Sequence, residues 1–296
     1  MQDRLIERRR FLKLSAAAAI GPNLLTATIA SAKAEKQNKL YKALLMNMLP
    51  KSLSDVEKFR LAKDCGFDGI EAGPMDDHKA AAERAKIARE EGVPIHSVLY
   101  GWWPPFTNRD AKVVGKSIEE MENALRCAQV MGADAVLLVP TRVTDDFSYQ
   151  DAYKWSQEYV HRLIPTAEQT RVFVAIENVW NKFLLSPLEF ARYLDELGSS
   201  WIRAYFDIGN VIIYGYAEDW IRTLGKRIVK FHLKDFKRQG YQWTTNLLDG
   251  DVNWPQVRKA IDEIGFSGWM TAELGGGHKG YLTDVAKRID RIVAMK

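Results

Sequence analysis

"AQVMGADAVLLVP", residues 128–140, opens as the end of an amphipathic helix, turns at Gly132 and runs into a short apolar strand. The same phrase recurs as "AKDCGFDGIEAG" (62–73), "AREEGVPIHSVLY" (88–100), "LDELGSSWIRAYFD" (194–207) and "IDEIGFSGWMTAE" (261–273). A glycine just past the last helical turn supplies the left-handed residue that closes a helix. Strands that read as near-continuous apolar runs, separated by helical periodicity, are those of a parallel sheet covered on both faces.

Working outward, eight such strands are found at 42–49, 68–73, 94–100, 134–140, 171–177, 202–207, 228–233 and 268–273. Helical segments fall between them at 52–65, 76–91, 115–131, 148–169, 187–197, 216–225 and 254–264. Eight parallel strands with intervening helices close into an α/β fold, the (β/α)8 TIM barrel. The chain has 296 residues, 47% hydrophobic, which is ample for one such core, and no linker or composition shift divides 40–296. One domain is therefore expected there. Two cysteines, Cys65 and Cys127, make no disulfide framework and sit in helical segments as core residues.

Burying an unpaired carboxylate is costly, yet several of these apolar runs end in a polar residue: Glu71, Glu177, Asp207, His232 and Glu273. In barrels of this kind the chemistry sits at the C-terminal ends of the strands. The last four belong to consecutive strands, so three carboxylates and an imidazole meet on one rim. They suit a single divalent ion, Mn2+ foremost, with Mg2+, Co2+ or Zn2+ as alternatives. The bland alternative gives each residue its own surface salt bridge.

The first 34 residues differ from the rest. "RRRFLKLSAAAAIGPNLLTATIASAKA" has a basic start, an apolar stretch and an A-x-A end at Ala32–Ala34. Arg8-Arg9-Arg10-Phe11-Leu12-Lys13 resembles the twin-arginine export signal, with Glu7 where Ser or Thr is usual. The resemblance implies the export machinery as a partner and a periplasmic location. Cleavage after Ala34 takes six of the 42 Lys/Arg and two of the 38 Asp/Glu, leaving 36 of each. The net charge of +4 thus belongs to the leader and gives no argument for nucleic acid. No later apolar run is long enough to span a membrane.

The strand-end pattern over about 40–296 resembles the xylose-isomerase-like barrels of sugar isomerases and epimerases, and within them the ketose 3-epimerase branch. That resemblance implies one divalent metal on Glu177, Asp207, His232 and Glu273, with Glu177 and Glu273 doubling as the acid/base pair of an enediolate mechanism. It implies that Arg238, six residues after His232, holds substrate hydroxyls. Two departures stand out. Asn210 replaces a histidine usual in D-x-x-H, so it hydrogen-bonds without carrying a proton, and Leu184 lies near the place of a further glutamate. The related metal-dependent endonucleases use extra histidines, whereas "AVLLVP" has none, which argues against a DNA enzyme.

Other candidates surround this set. Lys234 is expected to steady negative oxygens or to pair with Asp235. His96, read at the end of strand three, is expected to orient substrate or to be a core or rim histidine. Glu71 is a sugar-hydroxyl ligand or a loop cap, and Trp102 and Trp103 are set over the mouth for sugar stacking. The Gly-rich "ELGGGHKG" (273–280) gives close backbone approach or, with Lys279, a phosphate site. Export favours an unphosphorylated sugar as the small-molecule partner. The rival functions are a lyase or hydrolase of an oxidised glycoside or cyclitol, and a non-catalytic sugar-binding protein. A homo-oligomer is compatible with the chain.

Overall fold

A computed structural model describes residues 38–102 and 106–295. Eight parallel strands form a closed barrel: β1 (Leu40–Leu45), β2 (Gly69–Ala72), β3 (Ile95–Gly101), β4 (Ala135–Leu138), β5 (Phe173–Glu177), β6 (Ile202–Asp207), β7 (Ile228–Leu233) and β10 (Gly268–Ala272). Each pairs with its sequence neighbour, and β10 pairs with β1 to close the ring. The two remaining strands, β8 (Phe236–Lys237) and β9 (Gln242–Trp243), form an antiparallel hairpin in the loop after β7.

The helices are α1 (Asp55–Cys65), α2 (His78–Glu90), α3 (Ala111–Met131), α4 (Tyr149–His161), α5 (Ile164–Thr170), α6 (Pro187–Glu196), α7 (Ala217–Leu224), α8 (Trp254–Glu263) and α9 (Lys279–Val293). Serines start several of them. Ser54 makes a full capping box with Glu57, and Ser148 and Ser186 accept from the third helical amide. Gly66 and Gly132 end α1 and α3 at φ 97° and 80°, the left-handed conformation the recurring phrase requires.

Two local expectations change. The first strand stops at Leu45 and gives way to a 3-10 turn over Met46–Met48. The single helix expected over 148–169 is two, because Pro165 cannot donate to the preceding turn and its ring clashes with the carbonyl four residues back. Helix α9 and the hairpin were not anticipated.

The main core lies between strands and helices, where Val174 and Ile176 of β5 and Ala204 and Phe206 of β6 point outward. A second, smaller cluster fills the barrel itself: Ala135, Leu137, Val139, Ala175, Val179 and Tyr205. Since side chains alternate along a strand, residues two apart stack in layers along the barrel axis. Ala175 lies beneath Glu177, Tyr205 beneath Asp207, Lys230 beneath His232 and Thr271 beneath Glu273. Among the described residues no helix is long and apolar enough to cross a membrane.

Candidate metal centre

Glu177 and Asp207 are the last residues of β5 and β6, His232 is the penultimate residue of β7, and Glu273 directly follows β10. One ligand atom from each lies within 4.8 Å of the other three. Glu177, Asp207 and His232 are buried, and Glu273 is half-buried. His232 Nδ1 is 2.8 Å from Glu177 Oε1 and 2.9 Å from Glu273 Oε2. Asp207 Oδ2 is buried with no directed hydrogen bond among the described residues, the Lys234 ammonium standing 3.4 Å away, whereas Glu273 Oε2 is closely approached by Lys234 and His232. Buried carboxylate oxygens normally find donors. An orphaned carboxylate oxygen among converging acids and an imidazole nitrogen fits a divalent cation, and the oxygen-rich, thiolate-free set fits a hard or borderline one.

Electrostatics divide the carboxylates. Burial pushes Glu177 up to about 7, with Glu273 adding to the rise and His232 and Lys234 opposing it. Burial also raises Asp207. For Glu273 burial is outweighed by His232 and Lys234, which hold it down at about 2. His232 would be depressed by burial, but Glu273, Glu71 and Glu177 overcome this and hold it well above the ordinary imidazole value.

Beneath this group lies a second polar layer. His232 Nε2 is 3.0 Å from Glu71 Oε1, and Tyr205 donates its hydroxyl to Glu71 Oε2 at 2.5 Å. Glu71 therefore fixes the ring so that Nδ1 faces the upper carboxylates, as carboxylates commonly do behind metal-bound histidines. Glu71 is buried and has both carboxylate oxygens engaged, by His232 and Tyr205, below the mouth, rather than capping a loop. His96 belongs to the same layer. It stands second in β3, stacks on Trp269 at 4.4 Å and lies 3.1 Å from Thr271 Oγ1. Its expected place at the end of strand three is corrected: the ring is buried below the rim, as in the core reading of this histidine. Lys230 is buried too and pairs with Asp134 at 2.5 Å.

Asparagines lock the strand ends. Asn178 bonds both the N–H and the C=O of Asp207 through its side chain, each at 2.9 Å. Asn210 donates from Nδ2 to the Asn178 carbonyl at 2.8 Å, and its own N–H reaches Asp207 Oδ1 at 2.7 Å. Asn210, expected to contact substrate, is buried, and its Nδ2 is committed to this lock.

Lys234 does not pair with Asp235. Its ammonium lies 2.7 Å from Glu273 Oε2 and 3.4 Å from Asp207 Oδ2, within the acid group, and 5.4 Å from the Trp243 ring centre. Asp235 accepts from Val252 N–H and the Trp254 indole, tying the loop after β7 to the start of α8. Arg238 is exposed and turned to the loop after β6, where its fork donates to the carbonyls of Ile212 (2.8 Å) and Gly215 (3.2 Å). Trp102 is exposed at the mouth, whereas Trp103 and the leader 1–34 lie outside the described residues. The Gly-rich turn packs on the chain after β1, with Gly277 N–H bonded to Met48 O and Lys279 paired with Asp64. Lys279 is thus taken up by a surface pair rather than held for a phosphate.

The sequence over residues 59–291 matches the family model described as "Xylose isomerase-like TIM barrel". The putative L-ribulose-5-phosphate 3-epimerase SgbU of Escherichia coli (strain K12) is 27% identical over 248 residues, covering 76% of this chain and 85% of that protein. Its namesake from Haemophilus influenzae is also 27% identical, over 63% of this chain and 70% of that protein. A solved D-allulose 3-epimerase from Methylomonas sp., in complex with D-allulose, superposes with a TM-score of 0.73 at 16% identity, covering 88% of this chain and 98% of that one.

Proposed function

The chain belongs to the xylose isomerase-like TIM barrel family, and from that premise we propose that it is a divalent-metal-dependent sugar isomerase, specifically an epimerase working through an enediolate. The observation that supports this most is the convergence of Glu177, Asp207, His232 and Glu273 on one point, with Asp207 Oδ2 buried and lacking a directed hydrogen bond among the described residues. The related proteins named above are sugar epimerases, which is the reaction class such a group serves.

Glu177, Asp207, His232 Nδ1 and Glu273 would hold the ion, which when bound supplies Lewis-acid stabilisation of the negative charge that develops on the sugar oxygens. The protein's own residues move the proton. A carboxylate takes it from the carbon beside the carbonyl, and a second one returns a proton to that carbon from the other face, inverting it. Glu177 and Glu273 are the pair: both reach the same His232 nitrogen, and their surroundings drive their proton affinities apart. Lys234, already beside Glu273, adds a fixed positive charge against the enediolate. Glu71 and the two asparagines hold the ligands in place. Residues 1–34 serve in this proposal as a twin-arginine leader, removed on export to the periplasm. An exported enzyme would favour a sugar without phosphate.

The test is incubation of Mn2+-loaded protein with ketoses in D2O, followed by mass spectrometry and sugar analysis. One deuterium at the carbon next to the carbonyl, with the epimer appearing at unchanged carbon skeleton, is the expected result. Product of lower mass would point to a lyase or hydrolase. Tight sugar binding without exchange would point to a binding protein.

A further inference from the structure

The acid group occupies only one side of the barrel mouth. On the other side, between the loops after β3 and β4, lies a cavity of about 430 Å³. That size is within the roughly 300–1,000 Å³ usual for small-molecule sites. Its walls include Trp102, Thr107, Arg109, Thr141, Arg142 and Asp146. Two guanidinium groups therefore face one carboxylate-bearing residue. Neither arginine forms an ion pair among the described residues, and the Asp146 contact is made by its backbone carbonyl, which accepts from Arg109 Nη2 at 2.5 Å. Arg142 stacks on Trp102 with its guanidinium carbon 4.7 Å from the ring centre. Stacking of this kind fixes the plane of the fork and leaves its N–H edge for a bidentate anion. Thr107 and Thr141 hydroxyls join across the cavity at 2.6 Å, tying the two loops together.

The cavity adjoins the acid group. Leu138 of β4 pairs with Ile176 of β5, so Val139, which lines the cavity, stands level with Glu177 on the next strand. Neighbouring strands are about 4.8 Å apart. By this register the cavity lies beside the acid group, on the side toward which the far end of a bound sugar can extend.

We infer that the cavity between the β3 and β4 loops is a subsite for an anionic end group of the sugar, phosphate or carboxylate, held by Arg109 and Arg142. The inference rests on the epimerase reading for the identity of the ligand as a sugar, and on the cavity itself for the charge. A carboxylate end, as in a keto-uronate, meets the subsite's chemistry without requiring a phosphorylated substrate.

The experiment is calorimetric binding to the full-length Mn2+-loaded protein, with two pairs of probes: L-ribulose against L-ribulose 5-phosphate, and D-fructose against D-fructuronate. At least one anionic sugar is expected to bind about tenfold or more tighter than its neutral parent, the scale of a charge-assisted hydrogen-bonded contact. Arg109→Gln and Arg142→Gln are each expected to reduce that advantage severalfold, and the double variant to abolish it. A phosphate-only advantage identifies a sugar phosphate, and a carboxylate-only advantage a sugar acid. Three results overturn the inference: no advantage for either anion, an advantage that survives the double variant, or equal loss of neutral and anionic binding. Deuterium exchange is followed separately. Absence of exchange with every probe breaks the epimerase reading while the charge preference, read by binding, still stands or falls by itself.

Discussion

Two polar layers inside one barrel, a residue pair apart along the same strands, have been put to opposite uses. The lower layer, Glu71, Tyr205, Thr271, His96 and Lys230, is largely closed on itself: Glu71 accepts from Tyr205 and faces His232, His96 meets Thr271 through one ring nitrogen while Nδ1 has no partner among the described residues, and Lys230 pairs with Asp134. The upper layer leaves Asp207 Oδ2 without a directed hydrogen bond and crowds three carboxylates around one imidazole and one ammonium. Buried polar groups that are satisfied rigidify a core, whereas unsatisfied ones are costly and call for a ligand. Burial alone therefore does not mark a functional acid. Glu71 is as buried as Asp207, and the state of its lone pairs is what separates them.

The largest effects should come from the upper layer. Glu177→Gln and Glu273→Gln are each expected to lower solvent-deuterium exchange by about 10³-fold or more, since each removes a base and weakens a ligand. Metal content measured on the same samples separates the two losses. Near-normal exchange in either variant would take that residue out of the proton-transfer pair.

Glu71→Gln should act one step removed. The fold should persist, while metal affinity falls about 10–100-fold, the usual cost of losing the partner behind a ligating histidine. Unchanged affinity would mean that the lower layer does not position His232.

Protons should compete with the metal. His232 is held protonated above its ordinary range and Glu177 is raised to about 7, so the metal-free protein carries protons that a ligand set must lose. Metal affinity should rise with pH through about 7 and continue upward while His232 still titrates. Calorimetry in buffers of different ionisation enthalpy should register proton release on binding. A pH-independent affinity between about 6 and 8 would contradict this.

The smallest effect on activity is expected at His96. His96→Asn should destabilise the protein by about 1–2 kcal/mol through the lost stacking on Trp269 and the contact to Thr271. Thermal unfolding measures that cost, and exchange should stay within about tenfold of the parent protein. A drop as deep as that of Glu177→Gln would place His96 among the reacting groups after all.

Local order along the chain was enough to determine the barrel. Helix periodicity, glycine caps and apolar runs act over a few residues, and a polar residue ending an apolar strand has only one rim on which to sit. That is why Glu177, Asp207, His232 and Glu273 could be grouped before any contact was known. What tertiary structure alone decided involves distant partners or depth along a strand. Glu71 meets His232 across 161 residues, and His96 meets Thr271 across 175. Asn210 Nδ2 is held by the Asn178 carbonyl, and the Arg238 fork rests on the carbonyls of Ile212 and Gly215. Alternation along a strand says which face a side chain takes. Only closure of the ring fixes how deep it lies and which hydrogen-bond partner, from a strand far away in sequence, satisfies it or leaves it open.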